Sequence, residues 1–181
     1  MIELIAFLNE IESLKSVTRS GWTATGRQES TAEHSWRLAL FAALAAEEYP
    51  ELDARRLIML ALVHDLGELY GGDKPAPTLP DQQEKYAEEL AAMKKLSALL
   101  PEEQGRELMA LWQDYETGET PEARLVKALD KAETLLQHNQ GKMPANFDFN
   151  FNLNYGAAYF KGDPKLEALR EQIDADTRSH L

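Results

Sequence analysis

Apolar positions recur every three to four residues through most of the chain, the spacing of helices that turn one face to a core. Leu4, Ile5, Leu8 and Ile11 make the first such face. Leu14 to Trp22 then leads into a polar connection that runs to Glu29; this region carries Arg19, Trp22 and Arg27. Its plainest reading is a solvated loop with the tryptophan tucked into the core. Ser30-Thr31-Ala32-Glu33 has the form of a capping box and predicts a helix to about Glu48, with His34, Leu38, Phe41 and Ala45 on one stripe. Pro50 and Asp53 end that helix and cap the next, which carries Leu57, Ala61, His64 and Glu68 on one stripe and Ile58, Leu62 and Asp65 beside it. Asp81 caps a helix bearing Tyr86, Leu90, Met93 and Leu96, and Pro101 opens another with Leu108, Leu111, Trp112 and Tyr115, closed by Gly118. Thr120-Pro121 places a proline at the first helical position of a helix reaching about Gly141, with Leu125, Leu129, Ala132 and Leu136 as its apolar stripe. Asp163-Pro164 caps a last helix with Leu166, Leu169 and Ile173. The pattern is that of an all-α protein.

Two stretches break it. Gly71 to Pro80 holds three prolines and two glycines, which forbid a regular element, and it follows Glu68 closely enough to form a wall or lid over a site there. It lacks the Lys-Ser/Thr ending of a phosphate-cradling P-loop. From Asn146 to Tyr155 apolar residues alternate strictly with Asn or Asp, a period of two. This predicts a strand-like segment laying aromatics on the bundle, with a dimer contact as the functional alternative.

Composition narrows the chemistry. A chain of 181 residues, 44% hydrophobic, suits one domain over 1–181 with a sizeable core. There are no cysteines, which excludes disulfides, thiolate nucleophiles and Cys-bound zinc and fits a reducing compartment. The formal net charge of −12 repels a nucleic-acid polymer or an anionic membrane, though not a small phosphate ester that meets a local cationic pocket. Glu3 and Glu10 stand where a signal peptide would be cationic, and the longest apolar run, Leu38 to Ala46, is too short to span a bilayer. The expected location is cytoplasmic.

Candidate chemistry concentrates in Leu62-Val63-His64-Asp65-Leu66-Gly67-Glu68. While the helix persists, His64 and Glu68 share a face, and Gly67 permits a left-handed helix end. An ionised Asp beside a His on an apolar helix is costly to bury unless a cation neutralises it. A divalent metal would do so; an ordinary helix end with a capping His and a solvated Asp is the other reading. Elsewhere, an inward-facing His34 is either a hydrogen-bonded core residue or a ligand, and Asp130 either pairs with a neighbouring cation or turns to a metal. All four are nitrogen or carboxylate ligands of the kind borderline divalent ions prefer.

In this order, His34, His64-Asp65 and Asp130 resemble the H…HD…D set of the HD-domain metal-dependent phosphohydrolases, all-helical bundles that hold a divalent metal. Arg19-Ser20-Gly21-Trp22, Glu29 to Arg37, His64 to Glu68, Gly72-Asp73 and Leu129 to Glu133 are similar to the 5′-deoxynucleotidase branch of that family. The resemblance is strongest over 1–140; the extended Asn/Phe segment and C-terminal helix of 141–181 lie beyond it. It implies one divalent transition ion (Mn²⁺, Co²⁺, Fe²⁺, Zn²⁺ or similar) on His34, His64, Asp65 and Asp130. No histidine occurs from 66 to 137, so the additional ligands of two-metal relatives are lacking, and His138 reads as a surface or packing residue.

The implied reaction is release of phosphate from a deoxynucleoside 5′-monophosphate. By the same resemblance Glu68 handles the proton and Asp73 orients the water or the sugar. Arg19 is the natural phosphate clamp, with Arg27 or Lys74 as substitutes, because a guanidinium binds two oxygens as a fork. Trp22 is expected to pack on the sugar, and the resemblance implies that this contact disfavours a ribose 2′-hydroxyl. Lys131 either supports its neighbour Asp130 or is solvated. Hydrolysis of another small phosphate ester or of ppGpp, and a non-catalytic metal-stabilised scaffold, are the alternatives. The family likeness also implies a homodimer.

Overall fold

The computed structural model describes residues 2–75, 78 and 81–181. Among them are eight α-helices: α1 (Leu4–Ile11), α2 (Thr31–Ala45), α3 (Ala54–Val63), α4 (Gln82–Ser97), α5 (Glu102–Thr117), α6 (Pro121–Gln140), α7 (Phe149–Asn152) and α8 (Pro164–Arg178). No described helix is long and apolar enough to cross a membrane. The helix starts follow the capping chemistry of the sequence. Ser30 and Glu33 form the reciprocal capping box of α2, and Asp53, Asp81, Thr120 and Asp163 accept backbone N–H bonds at the starts of α3, α4, α6 and α8. Each such cap contributes about 1 kcal/mol. Gly118 ends α5 in the left-handed conformation.

At the centre lies α6. It packs against α2, α3, α5 and α8, and Val126, Ala128, Leu129, Ala132 and Leu135 are buried along it. Because it is surrounded, its polar residues Asp130, Glu133, Thr134, Gln137 and His138 are buried too. Such groups need partners inside the protein, and those partners build the site described below.

Three expectations are corrected. The polar connection to Glu29 is an antiparallel hairpin: β1 (Thr18–Trp22) pairs with β2 (Gln28–Ser30), Thr18 opposite Ser30 and Trp22 opposite Gln28. Its register shifts between Thr18 and Trp22, and side chains complete the bonding: Gln28 Nε2 donates to the Arg19 carbonyl and Gln137 Nε2 of α6 to the Trp22 carbonyl, while Trp22 stays half-exposed rather than entering the core. Gly67 does not adopt a left-handed conformation. The helix end is made earlier, at Asp65, whose φ of −99° and ψ of 8° fall between the helical and extended regions. Gly67 is needed for space: a Cβ there would lie 2.8 Å from the Glu89 Cβ, so its lack of a side chain lets α4 approach.

The Asn146 to Tyr155 segment is not strand-like. Asp148 caps the short helix α7, and Arg170 of α8 donates to the carbonyls of Asn152, Leu153 and Tyr155 at 2.8, 2.9 and 2.7 Å. Those bonds replace the ladder partners a strand would have required. Of the expected lid, Ala76, Pro77, Leu79 and Pro80 lie outside the described residues.

Candidate metal centre

Three helix regions bring the candidate ligands together. His34 comes from the first turn of α2, His64 and Asp65 from the end of α3, and Asp130 from the middle of α6. His34 Nε2 lies 3.3 Å from His64 Nε2 and 3.1 Å from Asp130 Oδ1. Asp65 Oδ2 lies 3.1 Å from His64 Nε2 and 3.7 Å from His34 Nε2. His34, His64 and Asp130 form the tightest group. Asp65 is held beside it by Arg19, whose Nη1 donates to the same Oδ2 at 2.8 Å.

Each ligand candidate is oriented from behind. His34 Nδ1 donates to Glu133 Oε2, and His64 Nδ1 to the Ala61 carbonyl at 2.9 Å. The Nε2 atom of both rings is therefore the one left for the centre. Asp130 Oδ2 accepts from the Tyr115 hydroxyl at 2.7 Å and from Lys131 Nζ at 2.8 Å, which leaves Oδ1 facing the imidazoles. Lys131 thus supports Asp130. Glu29 is buried beside His34 and Glu133, and burial, then the charge of Glu133, pushes its carboxyl up to about 7.

The arrangement fits a divalent ion. Two nitrogens bound to one ion at about 2.0–2.1 Å with a near-tetrahedral angle stand about 3.3–3.4 Å apart, and the two Nε2 atoms are 3.3 Å apart. Charge gives the same answer. Burial opposes ionisation of Asp65, yet the His64, Arg19 and His34 charges hold it below the usual carboxylate range. Burial also opposes ionisation of Asp130, and Lys131 with the two histidines holds it well below. Burial and Arg19 oppose protonation of His34, but its bonds to Asp130 and Glu133 push it up to about 9. The guanidinium of Arg19 and a proton on His34 offset the carboxylates here, a positive charge that a divalent ion would equally supply.

Beside the ligands lies a cavity of about 350 Å³, lined by Glu68, Asp73, Lys85 and Lys131 among others, and Arg19 stands at its edge. Glu68 is buried, accepting a long 3.4 Å bond from Thr31 and lying 3.7 Å from Lys85 Nζ. Burial first, then the charges of Asp65 and Asp73, raises its carboxyl well above the usual range. Asp73 is raised as well, chiefly by burial. A second cavity of similar size adjoins the first, sharing Arg19, Asp73 and Tyr155, and Trp22 lines it.

Not every sequence candidate is brought in. Arg27 pairs with Glu33 on the surface; Lys74 does line the cavity beside the ligand candidates, paired there with Glu88. Arg19 is placed at the site but is already committed, by Nη1 to Asp65 and by Nη2 to Thr134 Oγ1 at 3.2 Å. Sequence reasoning gave no role to Glu133, Tyr115 or Thr134. Glu133 had a usable signal, its position three residues after Asp130 on one helix; Tyr115 had none, since it arrives from α5.

The HD-domain family profile matches residues 11–170. The chain is 41% identical to a 5′-deoxynucleotidase HDDC2 of Bos taurus over 98% of its own length and 87% of the relative's. It is 32% identical to a 5′-deoxynucleotidase HDDC2 of Dictyostelium discoideum, with 98% and 100% covered. It superposes with a TM-score of 0.82 on the crystal structure of a predicted metal-dependent phosphohydrolase from Magnetospirillum magnetotacticum, at 31% identity over 98% of this chain and 95% of that one.

Proposed function

The chain belongs to the HD-domain family, and on that premise we propose that it is a metal-dependent 5′-nucleotidase releasing phosphate from deoxyribonucleoside 5′-monophosphates. The observation that carries this reading is the convergence of His34, His64 and Asp130 beside a charged cavity, in a chain alike over nearly its whole length to relatives named for that activity. In this reading His34, His64, Asp65 and Asp130 hold one ion, and two imidazoles with carboxylates suit Mn²⁺, Co²⁺, Fe²⁺ or Zn²⁺. When bound, the ion supplies Lewis acidity toward a phosphoryl oxygen and makes a water acidic enough to attack at neutral pH.

The other steps belong to side chains. Arg19 clamps the phosphate: once Asp65 has the ion as its counter-charge, the guanidinium fork is free for two phosphate oxygens. Glu68, whose carboxyl burial and then the charges of Asp65 and Asp73 push up, delivers a proton to the leaving 5′-oxygen as general acid. Asp73 orients the attacking water or the sugar, and Trp22 packs on the deoxyribose. We read residues 1–181 as one domain, because α8 is tied to α6 and α7 by Thr177–Asn139 and by the Arg170 bonds. We read it also as a cytoplasmic homodimer. The outer stripe Trp36, Leu40, Leu44 on α2, at 63%, 50% and 62% exposure, supports a self-contact.

The test is phosphate release from deoxy- and ribonucleoside monophosphates, with pyrophosphate release from ppGpp, after chelation and after return of each ion. Release from deoxynucleotides that chelation abolishes and an added ion restores is the expected result. Chelator-resistant release, or release from ppGpp alone, overturns it.

A further inference from the structure

The chemistry above uses Arg19, Trp22 and Asp73 at the rim of the second cavity, but none of the residues that the Asn/Phe segment and His138 bring to it. The cavity measures about 350 Å³, within the size range of small-ligand sites. Its walls differ in kind from those of the first. The first is lined with charged groups, among them Glu68, Lys85, Glu89, Lys127 and Lys131. The second is lined largely by Trp22, Phe147, Phe151, Tyr155 and His138, with two prolines. Arg19 and Asp73 stand where the two meet. A molecule with a phosphate at the metal centre and a flat apolar part has one place of matching character for each.

The aromatic wall is built, not incidental. Phe147 meets His138 edge-on with ring centroids 4.8 Å apart and Phe149 at 4.9 Å; Phe149 in turn stacks on His180 at 4.6 Å. Behind them Arg170, itself buried, fixes the end of α7 through three carbonyls. His138 is 6% exposed, and its Nδ1 lies 3.1 Å from the buried Asn152 Oδ1. With Nδ1 so engaged, Nε2 carries a lone pair, and it has no hydrogen-bond partner among the described residues. A buried polar atom left without a partner is costly unless a ligand supplies one.

The geometry points to this cavity as the nucleobase subsite: the base stacks on Phe147 and Phe151, and His138 Nε2 accepts one hydrogen bond from an N–H on the base edge. The inference rests on the nucleotidase reading and adds the residues that choose the base. Aromatic stacking gives affinity for any base, because each presents a π-face. His138 gives preference, because a site built to pair with a donor rejects a base that lacks one there.

The experiment compares deoxynucleoside monophosphates carrying each base with 2-deoxyribose 5-phosphate, which has none. Phe151→Ala should lower kcat/KM on deoxynucleotides roughly 5- to 150-fold, the range found when a stacking aromatic is removed, with KM carrying the loss. Its effect on 2-deoxyribose 5-phosphate should be far smaller, so the ratio between the two substrates falls. Phe151→Leu keeps the packing volume without the π-face and should show the same fall if Phe151→Ala does not fold. His138→Phe should change the rank order of the bases. Equal losses on both substrates, or none on either, overturn the subsite, as does a wild type with no preference for deoxynucleotides over the bare sugar phosphate; the phosphomonoesterase reading survives those results. If the wild type hydrolyses no ester, that reading fails, and saturation-transfer NMR of deoxynucleotide binding decides the subsite by itself. Transfer to base protons that Phe151→Leu abolishes supports it; no transfer, or transfer unchanged by the substitution, overturns it.

Discussion

Glu133→Gln separates a metal centre from a buried charge network. Glu133 is 1% exposed, its Oε2 bonds His34 Nδ1, and its Oε1 faces Arg37 Nε at 3.4 Å. A carboxylate can only accept, so it keeps the proton on Nδ1 and leaves Nε2 to the ion. Glutamine can donate instead; Nδ1 then becomes the acceptor and the proton moves to Nε2, where it blocks the ion. Partners that orient a metal-bound imidazole are worth about 10- to 100-fold in affinity, and burial of this pair favours the upper end because no water can replace the lost bond. At an ion concentration 100 times the wild-type Kd, binding stabilises the fold by about 2.7 kcal/mol; a variant 100-fold weaker keeps only about 0.4 kcal/mol. For a domain of this length 1 kcal/mol moves Tm by about 2–4 °C. The ion-induced rise should therefore shrink from about 5–11 °C to about 1–2 °C by those relations. Competition with a chromophoric chelator gives Kd, and melts with and without the ion give the shift. A Kd within twofold of wild type, with the full rise in Tm, would refute the assignment of His34 as a ligand oriented by Glu133.

Glu68→Gln should keep the ion, read by elemental analysis, and lose turnover by ~10²- to 10⁴-fold, the usual contribution of a positioned acid; wild-type turnover removes Glu68 from the proton transfer. Arg19→Lys keeps charge without the fork and should be impaired, Arg19→Ala more so, with kcat/KM read at full metal loading; an unchanged Arg19→Ala places the clamp elsewhere. His34 is raised in the ion-free chain from the ordinary histidine value to about 9, so its stabilising contribution is complete below about pH 6.5 and is lost as pH rises through about 9. Chelated protein should lose Tm across that window, and metal affinity should rise with pH across it as the competing proton leaves; a melt flat from pH 6.5 to 9 contradicts the raised value. Leu40→Asp puts a charge in the exposed α2 stripe and should shift sedimentation from dimer to monomer, while a wild-type monomer ends the dimer reading.

The helices could be read because their starts and faces depend on neighbours in sequence. Ser30 and Glu33 close a capping box over three residues, and Asp53, Asp81, Thr120 and Asp163 bond N–H groups two or three residues on. The Asn/Phe segment failed because its conformation depends on a distant partner. The alternation from Asn146 to Tyr155 satisfies the period of a strand, but a strand needs an edge to pair with. Here α8 offers Arg170, whose planar group of five donors can hold carbonyls that a helix end exposes. The hairpin at Thr18 to Ser30 was missed for the opposite reason: its strands are short, and their pairing shows only when the turn at Thr23 to Arg27 has closed.

The ligand candidates were legible through the family resemblance: His34, His64-Asp65 and Asp130 match the H…HD…D order, while residue type alone left each of them a second reading; the structure brings their side chains together. Their supports were less so: Lys131 stood between supporting Asp130 and solvation until the structure set its Nζ on Asp130, and Tyr115 is a common residue whose meaning comes from where α5 sets it. Arg19 lies between these cases. Its sequence context marks it as a clamp, yet in the structure it neutralises Asp65 and bonds Thr134. The two roles are one, because the same guanidinium serves whichever negative group lacks a counter-charge. In the structure that group is Asp65. Once an ion takes over Asp65, the substrate's phosphate is the next anion within its reach. On the proposed function, binding of metal and of phosphate is therefore linked through one residue, and linkage of this kind acts equally in both directions.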